Sequence, residues 1–284
     1  MRKVLLATTA LVAMSVTAAQ ADVSISGYQN FEVKDTGAAS TWAIDGDVVI
    51  TSKTTTDSGL TLTAEHHINT SATPAADASV VSKGNEHVDD SFLDIAGDFG
   101  AVRIGNTDDA LDRMDGVNPA TWDEAGWGGV AFDTQPSVMA SYISPTVSGI
   151  TLYGSSTAEG AASGVGLKYA NGPITAVYQS WTKGTQDNTM MAVNFTMAGA
   201  TIGFSTGDQD AAGTKTESSA MGIKYSVNDA LDVYVTSGKD TKAEKTQTAI
   251  GGYYTIAPGL QAAFESMDDG AGENTTYAHL KVSF

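Results

Sequence analysis

From residue 23 onward the chain alternates apolar and polar positions with a period of two. In VSISGYQNFEV (23–33), Val23, Ile25, Phe31 and Val33 share one face, and Ser24, Ser26, Tyr28, Asn30 and Glu32 share the other. Over 41–53, Trp42, Ile44, Val48 and Ile50 oppose Asp45 and Asp47; over 59–69, Leu60, Leu62 and Ala64 oppose Thr61, Thr63 and Glu65. The last segment, 274–284, sets Ala278, Leu280, Val282 and Phe284 against Tyr277, His279, Lys281 and Ser283. This is the signature of strands with one apolar and one polar side. Further segments near 91–97, 100–105, 137–144, 149–155, 163–170, 172–181, 189–198, 200–206, 219–226, 230–237, 247–256 and 259–266 bring the expected number of strands to sixteen. No helical period is sustained, and after residue 21 no run of about 20 apolar residues could form a membrane helix.

The connections are expected to alternate in length. Tight ones fall at TTDSG (55–59), GDFG (97–100), SPTVSG (144–149), ANG (170–172), AGA (198–200), SVNDA (226–230) and IAPG (256–259). Long ones are expected near 34–40, 70–90, 106–136, 156–162, 182–188, 207–218, 238–246 and 267–273. A meander with short turns at one end and long loops at the other is the plan of an outer-membrane barrel. The apolar faces of the strands that run toward the short-turn end finish on Tyr142, Tyr169, Tyr225, Tyr254 and Phe284. Such a ring of aromatics is expected to form a belt at the headgroup level. A soluble β-sandwich would give short strands and many glycines, but no aromatics at matching strand ends. The expected fold is therefore all-β: a closed antiparallel transmembrane barrel of 16 strands, with the last strand paired to the first because an open edge cannot persist in hydrocarbon.

The front end sets the compartment. Arg2 and Lys3 precede a short apolar stretch that closes on Ala19-Gln20-Ala21, the pattern of a secretory signal peptide over 1–21, leaving 22–284 as the barrel domain. Without Arg2 and Lys3, 13 basic residues face 33 acidic ones, a net charge of −20, which argues against nucleic-acid partners. There is no cysteine, so disulfides do not hold the fold.

The signal peptide, the opening VSISGY, GAVRIGNTDDA at 100–110 and Phe284 together resemble a Gram-negative general porin of the alphaproteobacterial type. The resemblance implies an outer-membrane barrel, a homotrimer, and contacts with lipid and lipopolysaccharide. It further implies a third long loop folded into the lumen and a terminal aromatic, Phe284, read by the barrel-assembly machinery. It would let the loop at 70–90 latch onto a neighbouring subunit. The chain is short for that family, so loops are trimmed or a strand is missing.

The constriction is expected in the loop at about 106–136, which carries Asp108, Asp109, Asp112, Asp115, Asp123, Glu124 and Asp133 against Arg113 alone. Trp122, Trp127, Val130 and Phe132 would pack it along a wall. Strand parity points Arg103 inward between Val102 and Ile104, and likewise Lys168, Lys224, Lys281 and Lys53. Acidic loop against basic wall would select permeants by charge. The expected function is passive diffusion of small hydrophilic solutes and ions with a mild cation preference; a non-conducting adhesin or scaffold is the alternative. No cofactor is required, although Asp108, Asp109 and Asp112 could together hold calcium. Histidines 66, 67, 87 and 279 form no catalytic set at usable spacing, so no enzymatic activity is expected.

Overall fold

The structure, a computed structural model, describes residues 21–70, 90–111, 113–114, 137–240 and 245–284. Sixteen strands follow in order: β1 (Asp22–Asp35), β2 (Ser40–Thr55), β3 (Thr61–Asn69), β4 (Ser91–Gly97), β5 (Gly100–Thr107), β6 (Ser137–Ile143), β7 (Ile150–Thr157) and β8 (Ala162–Asn171); then β9 (Ile174–Lys183), β10 (Gln186–Met197), β11 (Ala200–Ala211), β12 (Thr214–Asn228), β13 (Leu231–Asp240), β14 (Thr246–Ala257), β15 (Leu260–Asp268) and β16 (Asn274–Ser283). Each pairs with its sequence neighbour, and β16 pairs antiparallel with β1, from Tyr28 opposite Ser283 to Asp35 opposite Thr276, so the barrel is closed. Two further bonds continue the seam: Gly27 and Phe284 exchange backbone N–H and C=O at 3.0 Å each way. The Phe284 ring lies over Gly27, where a Cβ would stand 3.0 Å from its edge.

Polarity is inverted relative to a soluble domain. Large apolar residues such as Ile25, Leu93, Ile104, Leu152, Val165, Ile202 and Ile250 are exposed on the outer surface. Buried positions include Asn30, Ser141, Gln179, Asn188, Ser205, Thr236 and Glu265, all on the inward parity of their strands. A closed ladder satisfies every strand amide internally, leaving the outer wall free to face hydrocarbon. Among the described residues no helix is long and apolar enough to cross a membrane; the crossing is made by strands.

The expected strands are all present, but several expected long loops are not. At 182–188 the chain is strand except for Gly184–Thr185, and at 207–218 it is strand except for Ala212–Gly213. The connection expected at 156–162 shrinks to 158–161. At the β11–β12 tip the ladder continues through Asp208 opposite Glu217 and Gln209 opposite Thr216. Both faces there are polar, so the alternation vanishes while the pairing persists. Period two reports what each face touches and not whether strands are paired. β5 runs to Thr107, past the expected start of the 106–136 connection, and most of that connection and of 70–90 lies outside the described residues.

Candidate channel lumen

The loop that leaves β5 enters the barrel. Asp109 Oδ1 accepts the Leu111 amide at 2.6 Å, a local turn that bends the chain inward. Leu111 and Met114, each 1% exposed, then pack with Ala162, Val177, Trp181, Met190 and Ala192 on the inner faces of β8, β9 and β10. Two glycines make room on β8. A Cβ on Gly164 would stand 2.8 Å from Leu111 Cδ1, and one on Gly166 would stand 2.6 Å from Met114 Sδ. Gln179 of β9 fixes the register by donating to the Leu111 carbonyl at 3.1 Å. The apolar groups that hold the loop root are thus Leu111 and Met114, which sequence reasoning missed. The expected anchors Trp122, Trp127, Val130 and Phe132 lie outside the described residues, as do Asp112, Asp115, Asp123, Glu124 and Asp133.

The inner faces of β2 to β5 are charged. Arg103 points inward as parity requires, but it is tied locally: Nε and Nη2 each donate to Asp94 at 2.8 Å. Its guanidinium lies 3.4 Å over the Phe92 ring, and Nη1 donates to Thr107 at 3.4 Å. Arg113, from the loop root, approaches the same Asp94 at 4.0 Å. Beside this group, His67 Nδ1 is 2.9 Å from Asp47 and Nε2 is 2.8 Å from Glu65. The wall expected to be basic is therefore mixed, with Asp47, Glu65 and Asp94 interleaved with Arg103 and His67. The signal was in the sequence, because Asp47 and Glu65 lie on the polar faces of their strands.

The remaining expected wall cations are spread around the ring. Lys168 and Lys224 are one residue from Tyr169 and Tyr225, level with the short-turn rim and away from the loop root. Lys224 stands 5.9 Å from the Tyr253 ring and Lys281 4.2 Å from the Tyr28 ring. Lys53 is exposed and opposite Asp22 near the β2–β3 turn. On the outer surface Tyr142, Tyr225, Tyr254 and Phe284 are exposed and Tyr169 half-exposed, each at the short-turn end of its strand. The Tyr142 hydroxyl donates to the Phe99 carbonyl in the β4–β5 turn at 2.7 Å.

For calcium, Asp109 is buried with one oxygen engaged by Leu111, Asp108 is half-buried beside it, and Asp112 lies outside the described residues. Among the described residues no three carboxylate or imidazole groups come together in a metal-binding arrangement. A second group of inner contacts runs from β13 to the β16–β1 seam: Tyr234 donates to Glu265, Tyr277 stacks on His279, and His279 Nδ1 lies 3.2 Å from the Asn30 amide.

A closed barrel with an apolar exterior, a polar interior and a loop root packed against the inner wall of its bore defines the class of outer-membrane channels. The family profile described as Gram-negative porin matches residues 7–271, and the chain belongs to that family. Its fold is similar to that of an engineered variant of the Rhodobacter blastica porin, with a TM-score of 0.74 at 16% identity over 93% of this chain and 100% of the other. It is also similar to a loop-deletion mutant of OmpT, an outer membrane protein of Vibrio cholerae, with a TM-score of 0.75 at 13% identity over 93% and 99%. Comparison with curated protein sequences gives no match. The protein is an outer-membrane channel protein of Gram-negative type.

Proposed function

We propose that the barrel carries small hydrophilic solutes and ions passively across the outer membrane, with a mild preference for cations. The observation that carries this reading is the loop root, where Leu111 and Met114 lie on Gly164 and Gly166 inside the bore. Leu111 and Met114, seated on the β8–β10 wall, narrow the passage opposite the charged β2–β5 wall. On that wall the carboxylates of Asp47, Glu65 and Asp94 outnumber the permanent cation Arg103, and Arg113 leans on the same Asp94. Charge rings of this kind discriminate by sign. Assembly as a homotrimer, contact with lipopolysaccharide, delivery by an assembly machinery that reads Phe284, and an aromatic belt at Tyr142, Tyr169, Tyr225, Tyr254 and Phe284 belong to the same reading.

Purified protein in a planar bilayer tests it. Discrete open steps with a reversal potential on the cation side are the expected result. Silence at every voltage would leave an adhesin or scaffold, and a reversal potential on the anion side would overturn the selectivity.

A further inference from the structure

We propose that His67 is a protonation-controlled charge that sets how strongly the channel prefers cations; the inference rests on the channel reading above. A neutral imidazole has one N–H and one acceptor nitrogen. His67 places a carboxylate on each ring nitrogen, Asp47 at 2.9 Å and Glu65 at 2.8 Å. Carboxylates only accept, so both contacts are satisfied only by the imidazolium, which has two N–H donors. The pair is built around it. Glu65 also accepts from Thr51 on β2 at 3.0 Å, and the His67 amide donates to the Asp90 carbonyl at 2.9 Å. The ring faces Phe92 at 6.1 Å, and Arg103 covers that ring.

The charged groups around His67 are therefore Asp47 on β2, Glu65 on β3, Asp90 and Asp94 at β4, Arg103 on β5 and Arg113 from the loop root. Loss of the imidazolium proton adds one uncompensated negative charge to this wall and leaves one carboxylate facing a lone pair. His66 takes no part: parity turns it to the outer surface, where it meets Ser91 at 2.9 Å. His279 is also inward, but it lies at the β16–β1 seam, 3.7 Å from Glu32.

The test is the reversal potential in a potassium chloride gradient, read from about pH 5 to pH 9. A unit charge within about one Debye length of the passing ions at about 0.1 M salt changes the cation-to-anion permeability ratio about twofold. Wild type is expected to show that rise with increasing pH. His67→Gln is expected to hold the high ratio throughout, and His279→Gln to keep the wild-type rise. Glu65→Gln keeps the histidine with one carboxylate fewer, so its midpoint is expected at lower pH. A rise in His67→Gln equal to wild type, a rise abolished by His279→Gln, or an unmoved midpoint in Glu65→Gln would each overturn the proposal. If His67→Gln fails to fold, the Glu65→Gln midpoint alone decides. A wild type that conducts with a pH-independent ratio sinks this inference only; a wild type that never conducts sinks the channel reading beneath it.

Discussion

The inner faces of β2–β5 and of β8–β10 belong to one barrel and share one strand parity, yet they are built from different materials. The first presents Asp47, Glu65, His67, Asp94 and Arg103: His67 pairs with Asp47 across β2–β3 and with Glu65 on its own strand, and Arg103 pairs with Asp94 across β4–β5. The second presents Gly164, Gly166, Val177, Gln179, Trp181 and Met190, and these are covered by Leu111 and Met114. An inward residue of a wide barrel normally meets water, so an apolar inner wall is affordable only where something lies on it. The apolar wall marks where Leu111 and Met114 of the loop root rest, and the charged wall receives Arg113 of the same root at Asp94. On the proposed reading, narrowing belongs to β8–β10 and ion preference to β2–β5, so the two can be changed separately.

The largest effect is expected from breaking the apolar contact. Leu111→Ala removes a fully buried side chain from the loop root and should cost about 2–5 kcal/mol of docking. Single-channel conductance should rise as the loop loosens, with the ion preference little changed; unchanged conductance would mean that the root does not hold the narrowing. Gly166→Leu should act in the same direction by filling the cradle, at about 1–3 kcal/mol for overpacking.

The charged wall should respond in the opposite way. Asp94→Asn leaves Arg103 without its bidentate acceptor and removes the carboxylate that Arg113 approaches. Hydrogen bonds to charged groups are worth about 1.5–3 kcal/mol, and the water-filled bore will hold the loss toward the lower end. The reversal potential should move toward the anion side while conductance stays within a small factor. A conductance change as large as that of Leu111→Ala would show that the two walls do not divide the work.

The strands were legible because hydrocarbon and water impose opposite demands on alternate residues. That contrast fixed the inward direction of Arg103 and the outward direction of Tyr142. It failed where water lies on both sides, at the Asp208–Glu217 hairpin, and there the ladder was invisible. The Arg103–Asp94 pair was recoverable: the tight turn at 98–99 aligns Gly97 with Gly100 and so Asp94 with Arg103. The glycine cradle was harder. Gly164 and Gly166 share a face, but glycine carries no polarity, so only Val165 and Leu167 between them registered. Their partner Leu111 lies over 50 residues away in sequence, and no local pattern encodes that contact.

A substitution outside both walls should move stability alone. The two-residue turn Ala212–Gly213 has φ of 54° and 87°, the doubly left-handed turn that joins tight hairpins. Alanine is a poor occupant of its first position, and asparagine a favoured one. Ala212→Asn should stabilise the barrel by about 0.5–1 kcal/mol in urea-dependent refolding. Conductance and reversal potential should stay at wild-type values, which makes the variant a control for the two above.

The smallest effect separates the acid response of a loop from that of the bore. Asp269, in the β15–β16 connection, accepts the Ala271 amide at 2.7 Å and the Glu273 amide at 3.0 Å. These bonds favour the charged form and hold its carboxyl below the usual range. The folded-state value is depressed, so the stabilisation is fully present above the ordinary aspartate pKa and is lost as pH falls through the lowered one. Exchange of the Ala271 and Glu273 amides should therefore stay protected at pH 5 and quicken only in stronger acid, and Asp269→Asn should weaken that protection already at pH 5. The proposed His67 response is confined to higher pH. If the Asp269→Asn variant altered the reversal potential between pH 5 and 9, the loop and the charged wall would be coupled, and the change in ion preference could not be assigned to the bore alone.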